Sequence, residues 1–99
     1  MYPYDPVANL NAANIAIAKK DIPAAEKYLA KAGNSVDATY ARGILEMVKG
    51  DYDAAQPLLE EAQSKGIKKA ARMLEQLDGL REYAKVRAAA KAGNARSGK

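Results

Sequence analysis

No cysteine, histidine, tryptophan or phenylalanine occurs in the 99 residues. Without cysteine there is no disulfide framework and no thiolate metal site to support a thin core, and the redox compartment leaves no trace. Without histidine as well, catalysis would rest on Asp, Glu, Lys, Tyr or Ser, and no pair of carboxylates falls within one apolar stripe. Glu60 and Glu61 adjoin but point to different helix faces, each glycine stands alone instead of in a phosphate-binding loop, and no spacing suits zinc or calcium. The expectation is therefore a protein with no catalytic residues, no metal and no cofactor. Long apolar runs are missing too: Asn, Lys, Arg or Asp interrupts them every few residues, far short of the about 18–20 that cross a bilayer. No membrane insertion is expected. The opening Met1-Tyr2-Pro3-Tyr4-Asp5-Pro6 lacks the basic-then-apolar run of a secretory signal.

Apolar residues make up 48% of the chain, much of it alanine, and tyrosine supplies every aromatic. Small side chains favour close helix-on-helix contact. The length suits one domain. The net charge of +4 is uneven: residues 1–64 hold six basic and nine acidic groups, residues 65–99 ten basic and three acidic. A basic end of this kind can meet nucleic acid or another anionic surface, or remain a solvated helix face.

Aligning Asp21-Ile22-Pro23-Ala24-Ala25 with Asp51-Tyr52-Asp53-Ala54-Ala55 reveals a constant offset of 30 residues, which continues through Leu29/Leu59 and Ala32/Ala62 and runs back to Lys19/Lys49 and Ala8/Ala38. A period in this range marks stacked supersecondary units. Each unit reads as two helices, because apolar positions recur at helical spacing: Ile22, Ala25, Leu29 and Ala32 in one stripe, Tyr52, Ala55, Leu59 and Ala62 in its copy. Asp5, Asp21, Ser35 and Asp51 can cap helix starts, and Gly33, Gly50 and Gly66 can end helices. These signals predict helices over 6–19, 22–32, 36–49, 52–64, 67–77 and 80–92, with Gly79 separating the last two, Pro57 kinking the fourth or disturbing its first turn, and 93–99 a disordered basic tail. The fold class expected is all-α, one domain over 1–92, in units 6–32, 36–64 and 67–92.

The segment from Gly43 to Ala55, with Gly50-Asp51-Tyr52-Asp53-Ala54-Ala55 as its turn and Leu59 and Ala62 following, resembles the centre of a tetratricopeptide repeat. The matching positions of the first unit are Ala13, Lys20, Asp21, Ile22, Ala25, Leu29 and Ala32. The chain departs from the family in its period of 30 against about 34, and in having no early aromatic in the first helix and no closing proline. Residues 62–70, Ala62-Gln63-Ser64-Lys65-Gly66-Ile67-Lys68-Lys69-Ala70, also look like a Sel1-type repeat of the same architecture. The opening Asp5-Pro6-Val7-Ala8-Asn9-Leu10-Asn11-Ala12-Ala13-Asn14 is similar to C-terminal repeat domains of cell-envelope proteins from Bacteroides-like bacteria, which implies a periplasmic or outer-membrane-associated parent; otherwise the cytoplasm is expected.

What the resemblance implies is an α-α superhelix of about six helices, a scaffold whose concave surface binds a protein or peptide partner. On this chain that surface maps to Leu10, Asn11, Asn14, Asp37, Tyr40 and Ile44. The family's carboxylate clamp is not carried over: Asn14 matches, but Leu10 stands where a lysine is needed and Ala41 where a second asparagine belongs. The alternatives are binding of nucleic acid or an anionic surface through the basic C-terminal helix, and self-association as a weak homo-oligomer; a monomer is equally compatible.

Overall fold

A computed structural model describes residues 5–97, with side chains described for residues 5–91. The chain is all-helical among the described residues, in the order α1 Pro6–Ala18, α2 Ile22–Leu29, α3 Val36–Lys49, α4 Tyr52–Ser64 and α5 Lys69–Ser97. Helix α1 packs on α2, α3 on α4 and α4 on α5, with lighter contacts joining α1 and α2 to α3, and α3 to α5.

Each of the first four helices begins where a side-chain oxygen accepts a first-turn amide. Asp5 Oδ1 accepts from Val7 N at 2.9 Å, Ser35 Oγ from Ala38 N at 3.1 Å, Asp21 Oδ1 from Ala24 N at 3.3 Å and Asp51 Oδ1 from Ala54 N at 3.1 Å. These caps satisfy amides that have no partner inside the helix. Residues thirty apart thus do the same work: Asp5 and Ser35 start α1 and α3, Asp21 and Asp51 start α2 and α4.

The turn between α3 and α4 places Gly50 at φ 84°, and the turn between α1 and α2 places Lys20 at φ 58°. Both adopt the left-handed conformation, which costs a residue with a Cβ about 1–2 kcal/mol; the lysine bears that cost where the glycine does not. Helix α2 stops at Leu29, earlier than the expected Ala32, because the amides of Lys31 and Ala32 tighten onto the carbonyls of Tyr28 and Leu29. Arg42 then donates from Nη2 to the carbonyls of Leu29 and Gly33, each at 2.8 Å, tying α3 across the end of α2.

Two apolar clusters hold the helices together. Ala13, Ala16, Ile17, Ala25, Leu29, Ala32, Ala38, Ala41 and Leu45 form the first, and Ala55, Leu59 and Leu77 the second, with Ile44 packed against both. Alanine dominates because the helices approach closely. At the tightest point Gly43 is buried against Leu59: a Cβ there would stand 2.8 Å from Leu59 Cδ2.

One expectation needs correction. Among the described residues there are five helices, not about six, because 67–77 and 80–92 merge into α5 through Gly79. Glycine in a helix interior costs only about 1 kcal/mol, and no capping residue follows it: Gly50 is succeeded by Asp51, Gly79 by Leu80. Helix α4 carries Pro57 in its interior and runs from its Asp51 cap to Ser64. Pro57 is exposed, so the Asp53 carbonyl it deprives of an amide is on the solvated side. Helix α5 extends into the segment expected as a tail; residues 98 and 99 lie outside the described residues.

Candidate partner-binding groove

Helices α1 and α3, with the first turn of α5, leave an open groove of about 620 Å³ between them. One wall comes from α1, where Pro6, Val7, Leu10, Asn11 and Asn14 follow one another at helical spacing. The other comes from α3, through Asp37 and Tyr40, with Ser35 and Ala32 at its base and Lys69 from α5 closing the end. Five of the six residues named from the sequence therefore meet here: Leu10, Asn11, Asn14, Asp37 and Tyr40. Ile44 does not line this groove; one turn further along α3, it faces the two core clusters and a second cavity.

The groove's chemistry is mixed. Leu10 and Tyr40 are half-buried and Val7 is 66% exposed, which gives an apolar floor with an uncovered rim. Asn11 and Asn14 are exposed one turn apart, each able to donate and accept, so they suit a partner's backbone amides and carbonyls. Burial raises the Tyr40 phenol above its ordinary pKa, so it stays a neutral donor across the physiological range. The Lys69 ammonium lies over the Tyr40 ring, 5.1 Å from its centroid, held by the ring's negative face. Asp37 carries a carboxylate at the same groove, and no ion pair within 4 Å joins it to Lys69. Both charges are left available.

Three side chains that matter were not named as site residues from the sequence. Lys69 is thirty residues after Thr39, so extending the register by one more period would have reached it. Asn9 and Thr39, also thirty apart, are the buried polar residues of α1 and α3. Asn9 Nδ2 donates to the Asp5 carbonyl at 2.8 Å and Thr39 Oγ1 to the Ser35 carbonyl at 3.2 Å, each returning to the capping residue four positions earlier. Their signal was a polar residue four places after a cap in both units. The residues named for the repeat signature fall mostly in the interior: Ala25, Ala32, Gly43, Ala55, Leu59 and Ala62 are buried, Leu29 is 3% exposed, and Asp21 and Asp51 cap. Tyr52 is half-buried against the second cluster, and Gly50 turns the chain.

Among the described residues no group of three Asp or Glu is placed to hold a metal ion, and no helix is long and apolar enough to cross a membrane. In comparison with known proteins, no family model matches the chain, and neither a curated protein nor a solved structure gives a significant match.

Proposed function

We propose that the chain is a protein-binding scaffold without catalytic activity, built of tetratricopeptide-like units and receiving an extended segment of a partner in the groove between α1, α3 and α5. The observation that carries this reading is the convergence of Leu10, Asn11, Asn14, Asp37 and Tyr40 on one open groove with an apolar floor and unpaired polar groups at its sides. Such a surface offers hydrogen bonds to a peptide backbone and shallow contact to its side chains, which is how extended segments are bound. The repeat reading draws on the helix pairs α1–α2 and α3–α4, whose caps, buried polar residues and core alanines recur thirty residues apart. Stacking such units sets their first helices side by side and leaves a continuous concave wall.

Panning a random peptide library of about 12-residue extended segments against the immobilised protein tests the reading. A family of related peptides is expected, whose capture is lost with Asn14→Ala and Tyr40→Ala but kept with the distant, exposed Glu60→Ala. An unenriched library, or peptides indifferent to both groove substitutions, contradicts it.

A further inference from the structure

Helix α5 is anchored to the body as far as Arg81, whose Nη2 donates to the Tyr52 carbonyl at 2.9 Å and pairs with Asp53 Oδ1 at 3.2 Å. Beyond it every described side chain, Glu82 to Lys91, is exposed, Tyr83 at 63% and Val86 at 64%. A helical stretch that buries none of its side chains is marginal in water and gains most of its stability from a partner on its apolar face.

Where α5 leaves the body there is a second cavity of about 320 Å³, lined chiefly by Ile44, Met47 and Val48 of α3 and Met73 and Leu80 of α5, with Lys20 beside them. Successive helix residues turn by about 100°, so Met73, Leu80, Arg87 and Lys91 fall on one face of α5. That face passes from the cavity's apolar lining to two cations in line. No carboxylate lies within 4 Å of Arg87 or Lys91 among the described residues.

We propose that this stripe docks an acidic amphipathic helix of another protein. Apolar residues of the guest seat against Met47, Met73 and Leu80, where flexible methionine side chains adapt to the incoming shape. Its carboxylates, roughly 10 and 16 Å further along, meet Arg87 and Lys91. Charge selects this occupant over a second copy, since pairing α5 with itself would bring residues 81–91, four cations and one carboxylate, against the same set. The apolar cavity selects it over nucleic acid, which would use the cations and leave Met73 and Leu80 without a role. The site stands apart from the groove of α1, and either can fail alone.

The test uses the full chain and a fluorescein-labelled helical peptide of about 20 residues, with Leu on one face and Glu on its flanks. A Lys-for-Glu version and a labelled DNA duplex serve as comparators. Fluorescence anisotropy at low salt should show the Glu peptide bound at least about tenfold more tightly than the Lys peptide. Leu80→Asp and the pair Arg87→Glu with Lys91→Glu should each weaken it about tenfold, and the charge-reversed pair should gain affinity for the Lys peptide. Unchanged circular dichroism melting of the variants separates lost docking from lost folding. Failure of the Glu peptide to bind, binding unaffected by Leu80→Asp, or tighter binding of the duplex would overturn the proposal. So would a dimer in sedimentation that Leu80→Asp disperses, which would assign the stripe to a second copy.

Discussion

Gly43 and Leu59 meet at the closest approach of α3 and α4, and their coupling can be measured. A methyl group on Gly43 would collide with Leu59 Cδ2 and Cγ, at 2.8 and 2.9 Å, so something must shift to admit it. Overpacking costs about 1–3 kcal/mol, against about 1 kcal/mol gained from alanine's higher helix propensity. Gly43→Ala should therefore destabilise by about 1 kcal/mol, the balance of those two effects. Leu59→Ala, which empties a fully buried site, should cost about 2–5 kcal/mol. In the double variant the new methyl enters the vacated space, so urea unfolding should give a loss smaller than the sum by about 1 kcal/mol. Strict additivity would mean that the two positions do not touch. Tyr40 gives a second test at this scale. Its native pKa is raised by burial, so the folded state holds the phenolic proton more tightly than the unfolded state does. The associated stability is complete below the ordinary phenol value of about 10 and is lost as pH rises through the native value. Lys49, raised by its hydrogen bonds to Glu26 and Glu46, acts in the same direction. Melting temperature should fall above about pH 10, and Tyr40→Phe should flatten part of that fall.

At the scale of the helix, the starts and most of the stops were legible in the sequence because they depend on local chemistry. Asp5, Asp21, Ser35 and Asp51 cap where their side-chain oxygens suggest, and Gly33, Gly50 and Gly66 all take positive φ. Gly79 misled because a glycine ends a helix only when the chain is also given a way to begin the next one. Leu80-Arg81-Glu82 offers continuation instead. Pro57 too lies within a helix: it costs one hydrogen bond to Asp53 on the solvated side of α4, and the helix continues past it. Pro57→Ala should accordingly raise stability by about 1–3 kcal/mol in denaturant unfolding, restoring a bond and relieving ring crowding. An unchanged midpoint would mean the helix had already relaxed around the ring. The two halves of α5 should also differ. Amides near Leu77, which is 1% exposed, should exchange hydrogen close to the global unfolding rate, whereas those of 83–91 should exchange far faster. Equal protection along α5 would contradict the exposure of every described side chain beyond Arg81.

Across the whole molecule, the candidate groove was legible to the extent that one face of each first helix could be written down in advance. The side chains of α1 and α3 then had to converge if those helices lay together. The sequence pointed to the end of the groove only through the spacing of thirty from Thr39 to Lys69, carried on into α5. It could not foretell the protruding half of α5, which gives the described chain a length of 61 Å against 28 and 16 Å across. Charge separates along the same axis, with the acidic excess in the four packed helices and the basic excess in α5. The most direct test of the scaffold reading is an amide chemical-shift map of the labelled protein, titrated with the peptide selected by panning. Binding in the groove predicts shifts concentrated at residues 7–14, 35–40 and 69, with α4 and the far half of α5 unmoved. Shifts centred on any other surface, or none at saturating peptide, would contradict it.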